Sequence, residues 1–201
     1  MYKVPFVNFA RHWEKYKTEF MAVLEDRLSR GELILRQDAY DFEKSMVERV
    51  GTKHAKGVGS GFDALHLSLK ALGIGPGDEV ITVDHTFLAS IAAIALAGAK
   101  PVLIDVADDF NMDMNLLEAA ITPKTKAVMP VHLNGHMCDM DALMRIAKSK
   151  GLIVIEDAAQ SLGANMQMAN GEWRMAGSIG ITGCFSHYPF KMLGAFGEAG
   201  T

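Results

Sequence analysis

Cysteine is nearly absent from this sequence, which has two in 201 residues, Cys138 and Cys184. Their spacing is neither CxxC nor the even framework of a small secreted fold. A disulfide-stapled domain and a structural zinc site are therefore disfavoured, and a reducing compartment is the simpler setting. Long hydrophobic runs are also missing. The most apolar stretch, "FLASIAAIALAGA", has 13 residues before Lys100, too few to cross a bilayer and well suited to a buried helix. The N-terminus "MYKVPFVNFARHWEKYK" lacks the apolar centre of a secretory leader. Together these features point to the cytoplasm. No dense run of Lys or Arg occurs, and the formal net charge is −4. That argues against nucleic acid or an anionic membrane as the main partner, while leaving room for a local basic pocket that takes a phosphate.

What is present is apolar material in quantity. Apolar residues make up 49% of the chain and charged residues 22%, enough for a sizeable packed core and too apolar for disorder. The length suits one domain with a small appendage. Residues 10–30 carry Trp13, Tyr16, Phe20, Val23 and Leu24 at helical spacing, with Gly31 as a stop. A second helical pattern runs from Ala39, with Phe42, Met46, Val47 and Val50 on one face and Gly51 as its C-cap.

From residue 54 onward the pattern alternates. "HAKGVG", "DEVITV", "KPVLIDV", "AVMPVHL", "LIVIED" and "ITGCFSHY" read as strands. "FDALHLSLKAL", "FLASIAAIALAG", "MNLLEAAI" and "DMDALMRIAKSKG" read as helices, the last with Asp139 as N-cap. Strands apolar on both faces, with helices between most of them, predict an α/β fold: a mostly parallel sheet with helices on both faces. Such sheets bind ligands outside the carboxyl ends of their strands. The residues to inspect are thus Ser60-Gly61, His85 to Phe87, His132, Asp157 to Gln160, and Ser186 to Lys191.

Three of these stretches carry chemistry. "GVGSGFDAL" ends a strand and opens a helix, where glycines let backbone amides approach an anion; read alone, it is more often a plain tight turn. "LIVIEDAAQS" places Glu156 and Asp157 at the end of an apolar strand, and a buried carboxylate needs a partner. Taken by itself, "DAAQ" fits a capping box with Gln160 at its third position as well as it fits a ligand contact. Lys191 follows Tyr188, Pro189 and Phe190. Most lysines are solvated; one held near aromatic surface and another positive charge has a lowered pKa and a free amine able to bond a carbonyl. Taken together, an anion cradle, an acid and a lysine at strand ends meet the needs of pyridoxal phosphate. Its phosphate needs amides and hydroxyls, its pyridine nitrogen a carboxylate, and its aldehyde an amine.

"GSGFDALHLSLKALGIGPGDEVITVDHTF", "NMDMNLLEAAITPKTKAVMPVHLNGHMCDMDAL", "GLIVIEDAAQSLGA" and "FSHYPFKMLGAFGEAG" resemble, in order and spacing, the DegT/DnrJ/EryC1/StrS aminotransferases. The resemblance runs from "VPFVNF" onward and implies the large domain of a fold-type-I pyridoxal phosphate-dependent transferase, truncated. It implies Lys191 as the lysine bonded to the cofactor, Asp157 on the pyridine nitrogen, Gln160 on the ring hydroxyl and Phe87 stacked on the ring. Ser186 and the amides of Gly61 and Phe62 would hold the phosphate. The implied reaction is transamination from an amino acid, usually glutamate, to a nucleotide-linked keto-sugar in a homodimer, with Lys191 moving protons.

There are departures. Phe62 stands where the family often has Thr, and His187 where Phe is common. His85 and His132 lie near the same sheet edge, where a core or surface histidine outweighs a catalytic one. Family members run to roughly twice this length. The resemblance therefore divides the chain into an N-terminal helical segment, 1–50, packing on a cofactor-binding α/β domain, 51–201, that is incomplete at its C-terminus. It further implies a gap in the sheet between the first strand and "TGCFSHY", where an antiparallel strand would be starting at Thr201. A truncated or non-catalytic cofactor-binding relative, or one half of a split enzyme, is the alternative expectation.

Overall fold

The computed structural model describes residues 3–31 and 33–201. The chain divides into two compact units, Met1–Phe42 and Glu43–Thr201. Within the first, helix α1 (Phe9–Ser29) is capped by Asn8, whose side chain accepts the Arg11 amide at 3.0 Å, and it stops before Gly31 at φ 67°. Helix α2 (Gln37–Val50) starts in the first unit and ends in the second, closing on Gly51 at φ 79° as the expected C-cap. The compact division comes before residue 50 because Met46 and Val50 are buried and Glu43 binds the Gly57 amide and Lys56.

The second unit is built on β1 (Glu79–Val83), β2 (Lys100–Ile104), β3 (Thr125–Val128), β4 (Ile153–Asp157) and β7 (Thr182–Cys184). They form one parallel sheet in the order β2-β1-β3-β4-β7. Parallel strands need crossovers. Helices α4 (Leu88–Ala97), α5 (Met114–Ala120) and α6 (Met140–Lys150) supply three of them, and α3 (Gly61–Ala71) precedes β1. Leu65 and Leu69 of α3, Ala93 and Ile94 of α4, Val80, Ile155 and Cys184 from the strands, and Met129 just past β3 form one buried cluster. Helices α5 and α6 touch each other and strands β2 and β4, while Leu117 and Leu143 are buried outside that cluster. Asp139 caps α6 as expected, accepting the Ala142 amide at 2.9 Å.

Three local readings need correction. "HAKGVG" is not a strand: only Val58 pairs, with Gly200, because the Gly57 amide is taken by the Glu43 carboxylate. "AVMPVHL" stops being a strand at Val128, since Pro130 has no N–H to give the ladder; Val131 makes a single parallel bridge to Asp157. "DAAQ" caps no helix; it forms a turn in which Asp157 Oδ1 accepts the Ala159 amide at 3.2 Å. The pattern also did not reveal a hairpin, β5 (Asn165–Gln167) with β6 (Trp173–Met175), turned through Asn170-Gly171.

The predicted gap in the sheet is entered by the chain itself. Gly200 makes antiparallel bridges to Val58 on one side and Ser186 on the other. Thr201 and Phe185 exchange both main-chain bonds, and the His187 amide reaches Ala199 O at 2.8 Å. Alongside lies a cleft of about 940 Å³, lined by residues that include Val58, Leu67, Ile181 and Phe185.

Candidate cofactor site

The site lies where strand ends meet helix starts. Asp157 closes β4 at 5% exposure, with both carboxyl oxygens occupied. Oδ1 accepts the Ala159 amide, and Oδ2 accepts the Ser90 hydroxyl at 2.6 Å. Ser90 has one hydroxyl hydrogen. With that hydrogen on Asp157, the 2.8 Å contact between Thr86 Oγ1 and Ser90 Oγ is donated by Thr86. Burial pushes the Asp157 pKa up, opposed by the Ser90 and Ala159 bonds and by the charge of Lys191. A lone carboxylate here is costly, so the position favours a cation beside it.

Phe87 stands one turn before Ser90, at the N-cap of α4, with its ring 72% exposed at the sheet edge. The Ser90–Asp157 bond ties that helix start to the end of β4.

Lys191 ends a tight turn. Pro189 occupies its second position, where a fixed φ is favoured, and the Lys191 amide closes on Tyr188 O at 2.8 Å. The Lys191 Nζ lies 5.1 Å from the centre of the Phe190 ring. Partial burial lowers its pKa below the usual lysine value, and the charge of Asp157 pulls it back up. The lowering comes from burial, where the sequence reading expected a neighbouring positive charge.

At the other end, Ser60 caps α3 by accepting the Asp63 amide at 3.1 Å. The first amides of the helix, those of Gly61 and Phe62, have no helical acceptor and carry its positive end. Ser186 stands against them: a Cβ on Gly61 would lie 2.7 Å from Ser186 Cβ. Only glycine permits that approach. The Phe62 ring stacks on His66, with centroids 5.9 Å apart, so Phe62 offers the site its amide.

Gln160 stands three residues after Asp157, and its Oε1 accepts the Asn134 amide at 2.9 Å. His132 is fully buried. Its Nδ1 accepts the Cys138 amide at 3.2 Å, which leaves Nε2 to carry the proton and donate it to Glu156 Oε2 at 2.9 Å. Glu156 also accepts the amides of Gly177, Ile179 and Gly180. His85, in contrast, is exposed and lies 5.8 Å from Phe110, ring to ring. Sequence reading missed Ser90. Its signal was one hydroxyl in an otherwise apolar helix, one turn in from a strand end.

The model of the DegT/DnrJ/EryC1/StrS aminotransferase family matches residues 14–201. The chain belongs to that family. A DegT/DnrJ/EryC1/StrS relative, the dTDP-3-amino-3,4,6-trideoxy-alpha-D-glucose transaminase of Streptomyces venezuelae, is 43% identical over 98% of this chain and 51% of its own. The crystal structure of S. venezuelae DesV superposes with a TM-score of 0.93 at 42% identity, over 100% of this chain and 53% of that one. NtdA of Bacillus subtilis, solved with bound cofactor PMP, gives 0.90 at 32% identity, over 100% and 44%. The fold is that of the fold-type-I large domain in these DegT/DnrJ/EryC1/StrS proteins. The chain spans about half the length of the relatives it matches.

Proposed function

We propose that this chain is the cofactor-carrying part of an aminotransferase that uses pyridoxal 5′-phosphate to pass an amino group from an amino acid, glutamate, to a nucleotide-linked keto-sugar. The observation that carries the reading is the grouping at one end of the sheet of Asp157, buried at the end of β4 with its oxygens held by Ser90 and Ala159, and the Lys191 turn that follows the adjacent strand β7. The remaining residues fit the same group. Gly61 clears a cradle between the start of α3 and Ser186 that suits a phosphate. Gln160 and the exposed ring of Phe87 stand at the same edge of the sheet.

When bound, the cofactor supplies an aldehyde for attachment and a ring that withdraws electrons. Lys191 Nζ would hold the cofactor through its aldehyde and would carry the proton that must move. Asp157 holds a proton on the pyridine nitrogen, and the Ser90 hydroxyl fixes its second oxygen. The amides of Gly61 and Phe62, with Ser186 Oγ, bind the phosphate. The exposed Phe87 ring would cover one face of the cofactor ring and keep water from it.

The relatives' names support the sugar substrate. A homodimer is supported by the apolar side chains left exposed around Lys191, those of Phe190, Met192, Leu193 and Phe196. The cytoplasm is supported by two buried free thiols, Cys138 and Cys184. Borohydride reduction after incubation with pyridoxal phosphate, followed by peptide mass spectrometry, tests the reading. The label is expected on Lys191 and absent from Lys191→Ala; a label elsewhere, or none, overturns the assignment. Adding glutamate before reduction is expected to remove the label. A label that glutamate never removes marks the chain as a non-catalytic cofactor binder.

A further inference from the structure

The 131–138 turn makes a contact that the cofactor assignment does not explain. After Pro130 the chain folds back through a 3-10 turn (Leu133–Gly135) in which Asn134 and Gly135 both take positive φ, 54° and 81°. For Asn134 that is the left-handed region, costly for a residue with a side chain but tolerated best by Asn and Asp. The turn is held at its base from inside the core. The His132 ring takes the Cys138 amide on one nitrogen and gives its proton to Glu156 on the other, and Cys138 Sγ reaches Val131 O at 3.3 Å. Glu156 cannot drift, since three further amides bind it. The outcome at the tip is a main-chain N–H, that of Asn134, aimed at the side chain of Gln160.

A backbone N–H only donates, so the Gln160 atom facing it is the carbonyl oxygen. That fixes the amide's orientation: Oε1 is spent on the turn, and the NH₂ is the end left for the site. We propose that the 131–138 turn, anchored through His132 on Glu156, is a positioning device that holds Gln160 so that Nε2, a donor, faces the cofactor's ring oxygen. Asn134 and His132 act through Gln160, and touch neither cofactor nor substrate. This rests on the reading that Gln160 meets that ring oxygen. A donor there favours the deprotonated oxygen.

Two Gln160 variants separate the parts. Gln160→Glu keeps an oxygen for the Asn134 amide and removes the donor; Gln160→Leu removes both. In the protein without cofactor, exchange of the exposed Asn134 amide, followed by NMR, is expected to be about tenfold faster in Gln160→Leu than in wild type, and unchanged in Gln160→Glu. With pyridoxal phosphate bound, both variants are expected to raise the pH midpoint of its visible absorbance by about 1 unit. His132→Gln is expected to speed exchange at Asn134 from a distance while Gln160 itself is intact; should it fail to fold, the Gln160 pair decides alone. Equal Asn134 exchange in wild type and Gln160→Leu overturns the proposal whatever the cofactor does. Normal protection with an unmoved midpoint in Gln160→Glu overturns instead the placement of Gln160 on the ring oxygen, and with it the role of Nε2. If wild type binds no pyridoxal phosphate, the functional reading fails and the exchange data alone judge the turn.

Discussion

At Asp157, burial and partnership oppose each other, and the balance is measurable. Its folded pKa lies above the ordinary carboxylate value, burial being the largest cause. Between the unfolded value, ~4, and the raised folded one, the folded state binds more protons than the unfolded state. The contribution to stability is therefore full in acid and lost as pH rises through the folded pKa. Thermal melts of the cofactor-free protein should show Asp157→Asn gaining on wild type as pH rises from acid to neutral; parallel pH profiles would refute this. Ser90→Ala leaves one carboxyl oxygen of a buried acid without its donor and should cost about 1–3 kcal/mol, read as a lowered Tm. Gly183 is a starker case. A Cβ there would lie 2.2 Å from Gly177 O and 2.3 Å from Gly177 Cα, main chain against main chain. Gly183→Ala should cost about 3 kcal/mol or more. Asp157 and Ser186 could be picked out because a polar residue at or just past the end of a buried strand breaks an apolar pattern, and Lys191 because it closes the turn that follows. The roles of Glu156 and Ser90 were not, because their partners lie at Gly177–Gly180 and on β4, far away in sequence.

Among the elements, helices were legible where both period and punctuation were present. Asp139 ahead of "MDALMRIAKSK" and Gly51 behind α2 stand where the sequence placed them. Asp139→Ala removes the acceptor of the Ala142 amide and should lower stability by about 1 kcal/mol, visible in denaturant melts as a lower midpoint at unchanged slope. Strand ends were read less well, since a strand is defined by its partner. "HAKGVG" has strand-like composition, yet its one neighbour reaches it only at Gly200. The β5–β6 hairpin went unseen although Asn170-Gly171 is a turn signal; its arms are three residues each, too short for alternation to show.

For the molecule as a whole, strand order is the quantity a single sequence does not carry. The alternation of helix and strand implies a parallel sheet, but not that β3 sits between β1 and β4, nor that Gly200 ties Val58 to Ser186. Deleting residues 199–201 should expose the Val58, Phe185 and His187 amides, each bonded there. Hydrogen exchange should quicken at these three amides and stay slow at Ile81, in the middle of the sheet. The same tie has a consequence in time. The two halves of the proposed phosphate cradle, the Ser60–Phe62 corner and Ser186, are fastened by a glycine so closely held that a Cβ on it would fall 2.3 Å from Ser60 O. On the ribosome, a chain that has emerged only as far as Lys191 lacks the residue that clasps Val58 to Ser186, so this corner of the sheet closes only once Gly200 has followed.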